Sequence, residues 1–178
     1  DGVITLEDHS ATTSAGIFTD SNATDAILLN GDVRLTETMM FDSRQTDGAG
    51  GGEIDLTDAT ISATGAGVDL TVDSSVTDGA TAGEVTLGVF SNAGSQFVNN
   101  LFVVASSVSG PAGQITFAGA ADITVNVEAS GAGITLNSGA DVAAGADVEF
   151  DAVGATSDVT LNASLTATDD IHIRAGQD

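Results

Sequence analysis

The sequence contains no cysteine, no lysine, no tryptophan, no tyrosine and a single proline, Pro111. Without cysteine there is no disulfide staple, no thiolate metal site and no thiol nucleophile. The only strong cations are Arg34, Arg44 and Arg174, set against 26 Asp and Glu, for a formal net charge of −23. Such a surface repels phosphate backbones and anionic lipid and attracts cations, so nucleic-acid binding is excluded as a partner class. No apolar run approaches the roughly 20 residues of a spanning helix, which argues against membrane insertion. No sustained i, i+3, i+4 stripe is present either, and the chain is expected to hold little or no helix. The high charge is not paired with low hydrophobicity, because 42% of residues are hydrophobic and mean hydropathy is +0.22. A folded chain is therefore expected rather than a disordered one. The sequence opens without Met and without a basic-then-apolar leader, which reads as a mature or excised segment.

What the chain does have is a recurring triplet, apolar–any–apolar, usually after Gly or Asp. Examples are Ile4-Thr5-Leu6, Val33-Arg34-Leu35, Ile54-Asp55-Leu56, Val68-Asp69-Leu70, Val85-Thr86-Leu87 and Ile115-Thr116-Phe117. The series continues through Ile123-Thr124-Val125, Ile134-Thr135-Leu136, Val148-Glu149-Phe150, Val159-Thr160-Leu161 and Ile171-His172-Ile173. Alternation at period two marks a strand with one buried face. Gly, Asn, Asp, Ser and Ala between the triplets mark turns. In the last third, the strand starts at 123, 134, 148, 159 and 171 pair alternately as 123 with 148, 134 with 159 and 148 with 171. These pairs predict a solenoid coil of 23–25 residues with two or three strands. The expectation is an all-β, right-handed parallel β-helix of about 7–8 coils forming one elongated unit over 1–178. A sandwich would favour longer strands joined by hairpin dipeptides. Spacing before residue 85 is less regular (strand starts 4, 33, 54, 68 and 85), and Leu101 to Val104 reads as a strand buried on both faces.

The middle residue of the triplet is Thr at 5, 86, 116, 124, 135 and 160, and Thr–Thr neighbours on adjacent strands are favourable pairs. Asn follows Leu at Leu29-Asn30, Leu136-Asn137 and Leu161-Asn162. Those asparagines suit either an amide ladder or simple turns.

Three stretches, GGEIDLTDATISATGAGVDLTVD, GAGITLNSGADVAAGADVEFDA and SDVTLNASLTATDDIHIRAG, resemble the repeats of filamentous-haemagglutinin-like proteins and giant tandem-repeat bacterial surface adhesins. The resemblance implies a right-handed β-helix, a place outside the cell or on its surface, and a structural or adhesive role without catalytic residues. It also implies cell-surface or host glycans as partners.

Candidate sites are few. GAGGGEIDL (48–56) partly matches the calcium-binding nonapeptide of toxins, which nominates Glu53 and Asp55 as calcium ligands through their oxygens. Diffuse cation binding to the acidic surface is the alternative. A polysaccharide-cleaving or carbohydrate-binding β-helix is the competing functional class, and it needs paired carboxylates. Asp55 with Asp69, and Asp147 with Glu149, are the pairs the spacing offers. Isolated arginines and the absence of lysine favour a non-enzyme. His9 and His172 suggest a metal shared between units, or exposed surface histidines. Thr36-Glu37-Thr38 and Thr166-Ala167-Thr168 are too few for an ice-binding face. Asn22-Ala23-Thr24 and Asn162-Ala163-Ser164 are glycosylation sequons.

The tail, IHIRAGQD, reads into the head, DGVITLEDHS, without a break in pattern. Ile171 to the Ile4 of a following copy is 11 residues, the same step as 148 to 159. The expectation is a fibre in which copies meet head to tail, so the chain itself is its principal partner.

Overall fold

The computed structural model describes residues 3–6, 15–19, 26–44, 50–77, 80–94, 96–154 and 157–177. Every named strand pairs in parallel, and the described residues contain no helix. The chain winds through coils of three strands. The first holds β1 (Val3–Leu6), β2 (Ala15–Phe18) and β3 (Ile27–Leu28), and the second β4 (Gly31–Leu35), β5 (Met39–Asp42) and β6 (Ile54–Asp55). The third has β7 (Ala59–Ala63), β8 (Leu70–Asp73) and β9 (Val85–Leu87), and the fourth β10 (Val89–Phe90), β11 (Leu101–Ala105) and β12 (Gln114–Phe117). The fifth has β13 (Ala121–Ile123), β14 (Val127–Gly131) and β15 (Gly133–Leu136), and the sixth β16 (Val142–Ala144), β17 (Val148–Val153) and β18 (Val159–Leu161). A seventh holds β19 (Leu165–Ala167) and β20 (Ile171–Gln177). Stacking gives three sheets: A (β1, β4, β7, β10, β13, β16, β19), B (β2, β5, β8, β11, β14, β17, β20) and C (β3, β6, β9, β12, β15, β18). The chain is a parallel β-helix of six three-stranded coils plus two strands of a seventh, somewhat fewer coils than the spacing suggested.

Register explains the core. Val33, Leu35, Ile54, Leu56, Val85, Leu87, Ile115, Phe117, Ile134, Leu136, Val148 and Phe150 point inward as the triplets require and are all fully buried. Rings fill the column as well, with Phe117 and Phe150 packed at 5.6 Å between centroids. Toward the last coil the same inward rows open. Val159 is half-buried, while Leu161, Ile171 and Ile173 are 42%, 45% and 44% exposed. The side chains of Ile4 and Leu6 lie outside the described residues.

Several local expectations change. Ile123 pairs with Ala144 in sheet A, and Val148 pairs with Val127 in sheet B, so 123 and 148 are not coil mates. The reason is a corner: β13 ends at Ile123, and Thr124 to Asn126 turn the chain into β14, so one run of alternation spans two sheets. The pairs 134 with 159 and 148 with 171 hold. Val68 lies in the corner before β8, buried but outside the strand. In β11 only Leu101, Val103 and Ala105 face the core. Phe102 and Val104 are half-buried on the outer face, so this strand is not buried on both sides. The irregular spacing of the early coils comes from the corner between sheets B and C. That corner spans residues 43–53 in the second coil and 74–84 in the third, and shrinks to Ala132 alone in the fifth.

Candidate functional surfaces

A polar ladder runs up the corner between sheets A and B. The residues immediately before the B strands are Thr38, Asp69, Asn100, Asn126, Asp147 and Asp170. Each side-chain oxygen accepts the backbone N–H of the next rung: Asp69 N–H donates to Thr38 Oγ1 (3.1 Å), Asn100 N–H to Asp69 Oδ1 (3.1 Å) and Asn126 N–H to Asn100 Oδ1 (3.2 Å). Asp147 N–H then donates to Asn126 Oδ1 (3.2 Å) and Asp170 N–H to Asp147 Oδ1 (3.0 Å). Asp69 Oδ1 also accepts from the amides of Asn99 (2.9 Å) and Asn100 (2.8 Å). Short polar side chains suit this role, because they satisfy a neighbouring backbone donor where the sheet hydrogen bonding turns a corner. The last rung, Asp170, is exposed, with its carboxylate 3.9 Å from His172 Nε2.

Sheet B carries a second feature on its outer face. Register places Phe102 beside Glu128, Glu128 beside Glu149 and Glu149 beside His172; Val104, Ser130, Asp151 and Arg174 form the parallel row. Phe102, Val104, Glu128, Ser130, Glu149 and Asp151 line a shallow groove of about 180 Å³ with an aromatic side chain and three carboxylates. Arg174 bridges Glu149 and, at 3.7 Å, Asp151. Five strands away in sheet B, just past β5, Arg44 forms a bidentate pair with Asp42 and reaches Asp73 at 3.4 Å. The Asp42 hydrogen bond raises the Arg44 pKa above its usual value; burial opposes this and the Asp73 charge adds to it. Asp42 and Asp73 are register partners and nearly buried, so this cation separates two like charges on adjacent strands.

Sheet C presents the threonines. Thr86, Thr116, Thr135 and Thr160 stack in register on consecutive coils, while Thr5 pairs with Arg34 in sheet A and Thr124 sits in a corner. Asn137 caps a turn, its carbonyl accepting from Ala140 N–H at 2.9 Å. The amide ladder therefore belongs to the A–B corner rather than to the Leu-Asn pairs.

The residues nominated from sequence fall as follows. Glu53 and Asp55 flank inward Ile54 of β6, which lies between β3 and β9 in sheet C, and Asp55 Oδ1 accepts from Thr57 N–H (2.8 Å) and Thr57 Oγ1 (2.6 Å). Among the described residues, no three His, Cys, Asp or Glu converge as a metal cage. Asp55 and Asp69 lie on different faces, and Asp147 is a ladder rung while Glu149 faces the sheet B groove, so neither proposed carboxylate pair forms. The carboxylates that do fall opposite one another on adjacent strands are Glu128 with Glu149 and Asp42 with Asp73. Asn162 is exposed beyond β18, and His172 projects from sheet B. His9 and Asn22 lie outside the described residues. Sequence reasoning missed both the corner ladder and the Glu128–Glu149 pair. The ladder's signal was a Thr, Asp or Asn directly before each B strand from β5 to β20, and a 31-residue repeat, DSRQTDGAGGGE (42–53) and DSSVTDGATAGE (73–84), marks the B–C corner.

No family model matches the chain, and comparison with curated proteins and with solved structures yields no match.

Proposed function

We propose that this chain is a structural segment of an extracellular or cell-surface filament or adhesin, built by end-to-end stacking of β-helical copies. The observation that carries this reading is the fold, three parallel sheets whose strands stack coil on coil in unbroken order. Leu161, Ile171 and Ile173 occupy inward rows that are fully buried one or two coils below, yet each is more than 40% exposed. The B strand of the last coil, β20, and sheet C's last strand, β18, are edge strands. An edge of apolar, parallel strands is a template for a further coil, of a continuing chain or of another copy, which would bury those rows and donate its backbone N–H to the Asp170 carboxylate.

The acidic, lysine-free surface suits a salty medium, with divalent cations such as calcium as diffuse counterions. The role is non-catalytic. A second reading, glycan binding, is favoured by the sheet B groove, where Phe102 offers a stacking face beside Glu128 and Glu149 as hydroxyl acceptors.

The filament reading is tested by light scattering and electron microscopy of concentrated protein in high salt. Expected are unbranched rods with an axial repeat of about 30–34 Å, from 4.8 Å per coil. A monomer persisting at every concentration and ionic strength refutes it.

A further inference from the structure

We propose that the sheet B groove is a docking site for a guanidinium, the head of an arginine side chain on a partner protein, held by Glu128 and Glu149 against Phe102. This goes beyond the filament reading and does not depend on it. The ligand also differs from the neutral glycan considered above for the same groove, and the test separates the two.

The first argument is an uncompensated repulsion. Among the described strands, two pairs of carboxylates fall opposite one another, Asp42 with Asp73 and Glu128 with Glu149. Like charges directly opposite destabilise a sheet. At the first pair the protein supplies its own cation, because Arg44 is bidentate on Asp42 and lies 3.4 Å from Asp73. At the second pair Arg174 reaches Glu149 and Asp151, and the exposed Glu128 carboxylate has no ion-pair partner among the described residues. No side chain does for Glu128 and Glu149 together what Arg44 does for Asp42 and Asp73.

The second argument is the company these carboxylates keep. Phe102 stands in register beside Glu128 on the neighbouring strand, and both line one groove of about 180 Å³. A cavity of about 150 Å³ admits one benzene, so a groove of this size takes a single side-chain head. A guanidinium is planar, offers a fork of donors to carboxylates and stacks on an aromatic face, whereas an ammonium is a strongly hydrated point charge. The strands that carry these residues, β11, β14 and β17, each have a neighbour on both sides. The groove therefore belongs to the interior of sheet B and owes nothing to its edges.

The third argument concerns the source of the cation. The chain has no lysine, and of its three arginines Arg44 and Arg174 are already paired. Another copy is thus a poor donor, while a net charge of −23 draws a basic segment of a different protein toward this surface.

The test is a titration of the isotope-labelled protein with the peptide acetyl-Gly-Gly-Arg-Gly-Gly-amide, followed through its backbone amide spectrum. Expected are saturable shifts centred on Phe102, Glu128 and Glu149. The isosteric, uncharged citrulline peptide should bind about tenfold more weakly, as should the arginine peptide to Glu128→Gln, because each change removes a charge-assisted hydrogen bond. Asp122→Asn removes an exposed carboxylate from sheet A and should leave the affinity unchanged. Circular dichroism checks the fold of both variants. Glu128→Gln should melt higher than the unsubstituted chain, since it relieves the like-charge opposition. Shifts scattered over the surface, with equal losses in the two variants, mean diffuse attraction to an acidic protein and overturn the proposal. No response to the arginine peptide overturns it as well. So does a stronger response of the same amides to cellobiose, which would support the glycan reading instead.

Discussion

Leu136 and Leu161 are register partners on β15 and β18, chemically identical and one coil apart, yet one is fully buried and the other 42% exposed. Replacing each by alanine separates the inward row from the environment of its last rung. At Leu136 the lost methyl groups leave a cavity in a column with no slack above or below, and the cost should be about 3 kcal/mol, within the range of buried Leu→Ala changes. At Leu161 a little over half of the side chain is sheltered, and the lost transfer energy scales with the area removed from water, so about 1 kcal/mol is expected. End coils of a solenoid also open independently of the centre, which hides part of even that cost from a global transition. The assay is urea denaturation followed by circular dichroism at low protein concentration, with Thr135→Ala as the outward control, expected to cost well under 1 kcal/mol. Repeating the measurement under assembling conditions should raise the Leu161→Ala cost toward that of Leu136→Ala, because a neighbouring coil would then cover it. Equal costs in dilute solution, or a Thr135→Ala cost matching Leu136→Ala, would show that the row assignment is wrong.

Other consequences can be measured the same way. Asp69→Ala removes an acceptor used by three donors, and should cost about 2 kcal/mol; Asp69→Asn keeps an acceptor oxygen and should cost less than half as much. Comparable losses in the two variants would argue against the ladder. Gly83→Ala would place a Cβ 2.1 Å from the Gly52 carbonyl oxygen, and should destabilise by at least about 2 kcal/mol, whereas a Cβ at Gly65 meets nothing within 4 Å and should be nearly neutral. Arg44→Met strands Asp42 beside Asp73, with an expected cost of about 1–2 kcal/mol that Asp73→Asn largely restores; the partial exposure of Arg44 keeps the figure low. With a net charge of −23, the melting temperature should rise with salt or millimolar calcium and fall in chelator at low salt, as screening shortens toward about 10 Å at 0.1 M. A melting temperature indifferent to both removes cation screening from the account.

The sequence made sheet C and much of the core legible, because β9, β12, β15 and β18 carry large inward residues around a threonine. Sheet A was mostly invisible. Ala59-Thr60-Ile61-Ser62-Ala63 and Val142-Ala143-Ala144 each set a single larger inward side chain, Ile61 or Val142, beside inward alanines, which looks like turn composition when read alone. The Ile123–Val125 alternation misled because a corner can fall inside an apolar run without interrupting it. Read alone, Asp69 and Asp147 look like carboxylate-pair candidates and Thr38 like part of a Thr-x-Thr motif, while Asp and Asn at strand ends favour turns; only the stacking of coils reveals that each rung reaches to its neighbour. The Glu128–Glu149 pair depended on a 21-residue step that the 23–25-residue period could not supply.

The wide corners between sheets B and C are closed at their necks. Ser43 Oγ donates to the Gly52 carbonyl (2.6 Å) while Gly52 N–H donates to the Ser43 carbonyl (3.2 Å), and Ser74 with Gly83 repeats the arrangement at 2.7 and 3.1 Å. Two hydrogen bonds clasp the chain where it leaves the column and where it returns. Neighbouring corners are still joined inside the clasp, by Gly51 N–H on the Thr81 carbonyl (2.9 Å) and Ala82 N–H on the Pro111 carbonyl (3.0 Å), yet a segment held at both ends is cheap to lengthen, since doubling it adds only about 0.6 kcal/mol of closure entropy. The corner is thus a site where length and composition can diverge between coils while the column beneath stays the same, which makes it the natural place to graft a foreign peptide for display at a fixed vertical spacing.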